Sequence, residues 1–300
     1  MHRLSLFALA LAVALAACVS SDPRLGQPLG TVLVESDADV PTTADRLQSA
    51  LDAAEPVSVV ARLSLGGGVA TRVAPELFVF GNPALGTPIM QQNQLAGLDL
   101  PRKMLVYAEG DRARVLYTSP AHLAARYGVT IPDGLAMALP SFAAAAAGAD
   151  AAPTVGALRV GLEEGVVVLT SRQSFEATVA EIRELVADND DATLVAEVDH
   201  RANAASVDLD LRPTTLFLIQ GPAGQTTAPL VAFSPQLGLA LPLRLLVYED
   251  ADGVTQMAYN GRDYIAERYD VSGDGSSAAQ VAVGFAEGFV NGLALLAADD

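Results

Sequence analysis

The feature that most constrains the fold is an internal repeat with a period of about 141 residues. The triplet Leu-Val-Tyr at 105–107 recurs at 246–248, and Leu-Pro at 100–101 recurs at 241–242. Upstream, Val-Ala at 60–61 recurs at 195–196, so the two copies differ in length between residues 64 and 80. This period is far longer than the roughly 20 to 50 residues of solenoid repeats. The sequence therefore predicts a duplicated domain.

Both copies show the same order of predicted elements, β-α-β-β-β-β-α, with a Gly/Pro-rich excursion after the third strand. Few helices cross the sheet, and this predicts an α+β fold with a mainly antiparallel sheet. The first copy has predicted strands at 31–36, 57–63, 76–80, 104–109 and 113–117, and helices at 43–54 and 120–127. The second copy has predicted strands at 166–171, 193–198, 214–220, 245–249 and 255–259, and helices at 175–186 and 262–269.

The segments that flank the copies complete the predicted domain organisation. An Ala-rich helix follows each copy, at 135–149 and at 277–298. The boundaries that we predict are a signal peptide at 1–17, a lipid-anchor linker at 18–30, a first α+β domain at 31–130, an Ala-rich helix and linker at 131–164, a second α+β domain at 165–271 and a C-terminal helix at 272–300.

The first 17 residues have the pattern of a secretory signal. One cation, Arg3, precedes a short apolar run that ends Leu-Ala-Ala before Cys18. This run is shorter than the roughly 20 residues of a spanning helix. Small residues followed by Cys resemble the lipobox of bacterial lipoproteins, which implies acylation of Cys18; the alternative is an ordinary cleaved signal with an unrelated Cys. Val19 and Ser20 follow, without the Asp that implies retention at the inner membrane, so we expect an outer-membrane lipoprotein that faces the periplasm.

Charge and cysteine content exclude several classes of function. The formal net charge is −17 with a single Lys outside the signal, Lys103, and a field of this sign repels nucleic acid. Cys18 is the only Cys, so disulfides, thiol redox chemistry and Cys-based zinc sites are excluded. We therefore expect no nucleic-acid partner, and a fold that depends on packing alone.

Two motifs resemble a known family. The run Phe-Gly-Asn-Pro-Ala-Leu-Gly-Thr-Pro-Ile-Met at 80–90 precedes the Leu-Pro and Leu-Val-Tyr repeats, and the second copy carries Asp-His-Arg-Ala-Asn-Ala at 199–204 and Leu-Arg-Pro-Thr at 211–214. These motifs resemble the domain of unknown function family 302 over about 31–130 and 165–271. The resemblance implies a compact α+β domain related to the TATA-binding-protein-like fold, and it implies no reaction.

The two copies depart from this family in complementary ways. The first keeps the Gly-Asn-Pro loop with Asn82 but has Ser-Leu-Gly-Gly-Gly at 64–68, whereas the second keeps Asp199 and His200 but has Gly221 in place of the Asn. Drift after duplication is one interpretation, and a single composite site at the junction of the copies is the other. The candidate binding residues are Asn82, Asp199, His200 and Arg212.

The chain outside the signal has only two histidines, His122 and His200. His122 takes the position of Tyr264 in the second copy, so we expect it to be an amphipathic filler. His200 lies at a strand end beside Asp199, and a His near carboxylates can bind metal or carry protons. No second His or Cys is close in sequence, so we predict no metal site, no cofactor and no catalytic residue.

The leading functional hypothesis is a non-enzymatic binding or interaction module of the cell envelope whose small ligand the sequence does not name. The alternative is an enzyme or a metal-handling accessory centred on His200 and Arg212. The C-terminal helix adds a prediction of its own, because Gly284, Gly288 and Gly292 recur at every fourth position. Each interior Gly costs a helix about 1 kcal/mol relative to Ala. We expect close packing against the other Ala-rich helix or self-association; the alternative is a helix that lies on its own sheet.

Overall fold

The computed structural model describes residues 26–66, 73–148, 151–190, 192–221, 227–271 and 277–299. The predicted signal peptide, Cys18 and the start of the linker lie outside the described residues. Side chains of the final helix are described for part of its length.

The first half forms an antiparallel sheet with strand order β2-β3-β4-β5-β1-β6. Its last strand, β6, comes from the linker and pairs with β1. The elements in chain order are β1 (Thr31–Glu35), α1 (Val40–Asp52), β2 (Ser58–Ser64), β3 (Glu76–Gly81), α2 (Pro83–Gln92), a 3₁₀ helix that we call 3₁₀-I (Gln94–Asp99), β4 (Arg102–Glu109), β5 (Arg112–Thr118), α3 (Pro120–Tyr127), α4 (Asp133–Ala147) and β6 (Pro153–Val155).

The second half repeats this arrangement with strand order β7-β11-β10-β9-β8, again antiparallel. The elements are β7 (Val166–Thr170), α5 (Phe175–Ala187), β8 (Thr193–Asp199), α6 (His200–Ala205), β9 (Thr214–Gln220), α7 (Thr227–Phe233), 3₁₀-II (Pro235–Ala240), β10 (Leu243–Glu249), β11 (Thr255–Asn260), α8 (Arg262–Arg268) and α9 (Ser277–Asp299). The prediction of an α+β protein with antiparallel sheets in two similar halves is confirmed.

The first helix of each half is fixed to its sheet in the same way. Thr43 of α1 and Ser36 share a buried hydrogen bond of 2.6 Å between hydroxyl oxygens, and Thr178 of α5 and Ser171 share one of 2.8 Å. Helix α5 is capped by Ser174, whose hydroxyl accepts a hydrogen bond from the Ala177 amide. Duplication has therefore preserved side-chain contacts as well as topology.

The Gly/Pro-rich excursion is more regular than its composition indicates. It contains α2, which begins at Pro83 and has Pro88 in its interior, and it continues directly into 3₁₀-I. Gly and Pro are the poorest helix formers, and so local propensity predicted no helix here. Helix α2 packs against α6 of the other half, and this packing overrides the propensity.

The two halves exchange their 3₁₀ helices. 3₁₀-I packs on β9, β10 and β11 of the second sheet, and 3₁₀-II packs on β4 and β5 of the first. Each approach needs a glycine: a Cβ on Gly97 would lie 2.9 Å from the Leu246 Cδ1, and one on Gly238 would lie 3.0 Å from the Leu105 Cδ1. The exchange covers the second face of each sheet, which explains why the central strands are buried almost throughout.

The two Ala-rich tail helices, α4 and α9, pack on different elements and not on each other. Helix α4 packs on α1, β1 and β5, whereas α9 packs on α5, α7, α8 and strands of the second sheet. A Cβ on Gly288 or Gly292 would meet no atom within 4 Å, and one on Gly284 would contact the Arg262 side chain. The prediction that the two tail helices pack against each other is therefore wrong, because each of them buries its apolar face on its own half.

Candidate functional site

A cavity of about 160 Å³ lies where the two halves meet. The first half contributes the Gly-Asn-Pro loop and α2, and the second half contributes the end of β8 and the start of α6. The lining residues are Ser58, Val60, Gly81, Asn82, Pro83, Gly86, Thr87, Met90, Leu100, Pro101, Val198, His200 and Asn203. The family motifs that each copy keeps therefore meet in one composite cavity.

The cavity has a polar mouth and a buried floor. Ser58 is exposed, and Asn82 and Asn203 are half-buried. The deeper wall consists of buried side chains, among them Met90 and Leu100. This gradient is typical of a ligand site, where a few polar groups are set in a largely apolar wall.

His200 is the titratable side chain in this wall. It begins α6, is only 4% exposed, and lines the cavity beside Leu100. Burial, with a contribution from Arg244, lowers the pKa of His200 to about 4 against the opposing effect of Asp199. The ring is therefore neutral at pH 7. Its Nε2 atom is buried and has no hydrogen-bond partner, so it offers an unused acceptor.

Thr87 is the second polar group of the floor, and sequence analysis did not select it. It is fully buried on α2, lines the cavity, and its Oγ1 atom has no hydrogen-bond partner. Unpaired buried polar atoms are rare in folded proteins because each costs about 1–3 kcal/mol. Two such atoms in one cavity wall indicate a place that a ligand completes. The sequence could have pointed to Thr87 only if α2 had been predicted as a helix, because its hydroxyl would then lie on the buried face of that helix.

Two of the predicted site residues hold the backbone in place. The Asn82 side chain accepts a hydrogen bond of 3.0 Å from the Ala84 amide and caps α2, and Asn82 also lines the cavity. The Asp199 carboxylate accepts one of 2.8 Å from the Ala202 amide and caps α6. Asp199 thus positions His200 at the first turn of its helix without lining the cavity itself.

Arg212 lies away from the cavity, on the contact between the halves. Its Nη2 and Nε atoms donate to the Gln94 side-chain oxygen at 2.8 and 3.1 Å. The Gln94 amide nitrogen in turn donates to the Thr214 hydroxyl at 2.6 Å. Arg212 therefore helps to hold 3₁₀-I against the second sheet. The structure does not bring it together with His200.

The pseudo-symmetric counterpart of the cavity has different residues. Leu65 follows β2 as His200 follows β8, and it is 1% exposed. A Cβ on Gly238 would lie 2.7 Å from the Leu65 Cδ1, so Leu65 packs tightly against 3₁₀-II. Gly221 takes the place of Asn82. At this second junction an aliphatic side chain replaces the imidazole.

A buried charge cluster lies between the halves. Arg126 is fully buried and donates to Asp99 at 3.0 Å and to the Asn260 side-chain oxygen of the other half at 2.7 Å. Burial would raise the pKa of Asp99, but Arg126 and its neighbours outweigh it and hold this pKa far below the ordinary value. The other guanidinium groups that act on Asp99 are those of Arg268, Arg244 and Arg102.

His122 is more than the filler that the sequence predicted. Its Nε2 atom hydrogen-bonds to the Tyr264 hydroxyl at 2.9 Å, although the two residues occupy equivalent positions in the two halves. Burial, followed by the nearby Arg268, lowers the pKa of His122 to about 3. The bond joins α3 to α8 across the pseudo-symmetric contact, away from the cavity.

Fold and site together define a tandem α+β protein whose candidate binding cavity is assembled from two copies of one domain. The family model described as domain of unknown function DUF302 matches residues 32–144 and 167–285. The chain therefore belongs to the DUF302 family, and both copies are members of it.

The similar proteins and structures match a smaller part of this chain than the family model does. The structure resembles the crystal structure of an uncharacterized conserved DUF302 protein from Bacillus stearothermophilus, with 14% identity, a TM-score of 0.36, and coverage of 45% of this chain and 97% of that one. Fluoride-specific ion channel FluC 1 of Brucella suis biovar 1 (strain 1330) is 29% identical over 110 residues, which are 37% of this chain and 42% of that protein. FluC 2 of Brucella melitensis biotype 1 matches at the same identity over 40% of its length. The chain thus spans about two fifths of these curated relatives.

Within the described segments, no helix combines the length and the apolar character that crossing a membrane requires.

Proposed function

We propose that this protein is a lipid-anchored module of the cell envelope that binds a small molecule in the junction cavity and does not transform it. The observation that carries the binding function is the composite wall of the cavity. His200 from the second half and Thr87 from the first each present a buried polar atom without a partner. A bound ligand supplies the missing partners, and its binding stabilises the contact between the halves.

The alternative, an enzyme or metal-handling accessory, is less well supported. A neutral His with a free Nε2 atom can act as a general base or a metal ligand. However, Arg212 is bonded to Gln94 outside the cavity. Across the described part of the chain, no group of three His, Cys, Asp or Glu side chains is placed to hold a metal ion. Binding without conversion therefore remains the leading proposal.

The cavity is tested by filling it. A Cβ on Gly86 would make ordinary contact with Leu100, at 3.7 Å, so Gly86→Leu can place its larger side chain in the cavity. We expect xenon, followed by ¹²⁹Xe NMR, to bind the wild-type protein and to lose this binding in Gly86→Leu.

The matched control is Gly288→Leu, because a Cβ on Gly288 meets no atom within 4 Å and this glycine lies on α9. This variant should bind xenon as the wild type does. Equal xenon binding by all three proteins would contradict the assignment of the cavity as a binding site.

The lipid anchor rests on the sequence that ends Leu-Ala-Ala before Cys18. Several acyl chains on one Cys hold a protein at a membrane, since each buried CH₂ contributes about 0.8 kcal/mol. We propose that the folded part faces the periplasm from the outer membrane. Cys18→Ser should move the protein from the detergent phase to the aqueous phase in a phase-partition assay. Unchanged membrane association would contradict the anchor.

A further inference from the structure

The size of the junction cavity limits its occupant. Its volume of about 160 Å³ is close to that of an apolar cavity of about 150 Å³ that accommodates benzene. A single six-membered ring with one small substituent fits this space.

The charges around the cavity favour a neutral occupant. None of the lining side chains among the described residues is Asp, Glu, Lys or Arg, and His200 carries no charge at pH 7. The first turn of α2 offers no free donors to an anion. The Ala84 amide donates to the Asn82 side chain, and the Leu85 and Gly86 amides donate to the Asn82 carbonyl oxygen at 3.1 and 2.9 Å. A charged ligand would thus lose its hydration without gaining a partner of opposite charge.

The two unpartnered atoms specify the polar group. A neutral imidazole has one donor and one acceptor nitrogen, so Nε2 accepts a hydrogen bond from a ligand in the tautomer that carries its proton on Nδ1. The Thr87 hydroxyl can donate or accept. A ligand hydroxyl can donate to His200 and accept from Thr87, whereas an aliphatic group can do neither.

Both atoms are shielded from water, so the wall has to adjust before a ligand reaches them. Met90, which lines the same wall and is 3% exposed, is suited to this role. Its unbranched thioether side chain changes rotamer easily and adapts to irregular spaces.

We propose that the junction cavity takes a small uncharged molecule with an apolar ring and one hydroxyl group, a ligand of the phenol class. This inference rests on the proposed binding function and narrows its ligand. His200 accepts the hydrogen bond of the hydroxyl, Thr87 donates to it, and Val60, Leu100 and Val198 contact the ring.

The test is isothermal titration calorimetry of the purified full chain with phenol, toluene and benzoate at pH 7. We expect phenol to bind at least tenfold more tightly than toluene, since each of its two hydrogen bonds is worth up to about a factor of ten. Benzoate should bind more weakly than either, because it carries a charge into an uncharged site.

Two variants remove one polar atom each. His200→Phe and Thr87→Val should each lower the affinity for phenol about five- to tenfold and leave the affinity for toluene unchanged. The control is His122→Phe, the same substitution at the other described histidine, which lies outside the cavity. It should keep the preference for phenol.

Equal affinities for phenol and toluene would overturn the ligand class while leaving the cavity as a binding site. Tighter binding of benzoate would also overturn it, because that result indicates an anion site. If toluene, phenol and xenon all fail to bind, the proposed function itself fails. Loss of phenol and toluene binding together in Thr87→Val would show that the hydroxyl acts only on the shape of the wall.

Discussion

The two junctions between the halves are built from equivalent elements and have different interiors. At one, His200 and Thr87 leave polar atoms without partners around a cavity of about 160 Å³. At the other, Leu65 is buried against Gly238, and Gly221 replaces the loop Asn. A symmetric homodimer would have to carry the same residues at both junctions. Duplication within one chain removes that constraint, so one junction can be kept for binding and the other for packing.

The two 3₁₀ helices also differ in their last residue, which is Asp99 in 3₁₀-I and Ala240 in 3₁₀-II. Asp99→Asn should give the largest loss of stability, about 3–5 kcal/mol in the free energy of unfolding. The substitution leaves Arg126 buried without its counterion, beside three further guanidinium groups. Urea denaturation followed by circular dichroism measures the loss.

The matched control for this prediction is Asp263→Asn. The Asp263 side chain is 96% exposed, and its contact with Arg262 is long at 3.4 Å, so the same substitution should change stability by less than about 0.5 kcal/mol. Equal effects of the two variants would show that the cluster around Asp99 does not hold the halves together.

Acid sensitivity tests the difference between His200 and Leu65. The pKa of His200 is about 4 in the folded protein and 6.5 as its ordinary value. Above pH 6.5 both states are neutral at this residue and stability is fully present. As the pH falls from 6.5 to about 4 the unfolded state takes up the proton first, so the folded state loses about 3 kcal/mol.

His200→Leu copies the residue of the filled junction and should remove this part of the acid sensitivity. The measurement is urea denaturation of both proteins at pH 7 and at pH 4. His122 and the carboxylates titrate in both proteins, so the difference between the two pH dependences isolates His200. Parallel pH dependences would show that His200 is already able to take up a proton in the folded protein.

The two tail helices extend the comparison and give the smallest expected effect. Helix α4 buries Ala143, Ala146 and Ala147, whereas α9 carries Gly288 with open space around it. Gly288→Ala should stabilise the monomer by about 1 kcal/mol, because Ala is the better helix former and no atom obstructs its Cβ. Thermal unfolding measures this gain. A loss of stability that depends on protein concentration would instead indicate that α9 pairs between molecules through the glycines.

Local patterns were sufficient for the elements that repeat. The helix predicted at 120–127 is α3 (Pro120–Tyr127), and the strand predicted at 214–220 is β9 (Thr214–Gln220). Among the elements that were not predicted, α2 and α6 are the helices that carry Thr87 and His200. They are short or rich in Gly and Pro, so their stability comes from packing between the halves. The sequence therefore predicted the motifs of the candidate site but not the helices on which those motifs lie.

The sequence by itself determined that the chain is a duplicated α+β domain and that its two copies keep complementary parts of one motif. Spacing and alternation carry this information because strands and amphipathic helices impose their own periods. Only the tertiary structure decided that Asn82 and His200 meet, that Arg212 does not join them and that the tail helices stay apart. The first two outcomes depend on the exchange of the 3₁₀ helices, a contact between residues more than a hundred positions apart whose fit is set by side-chain volume at Gly97 and Gly238. The third follows because each tail helix buries its apolar face on its own half.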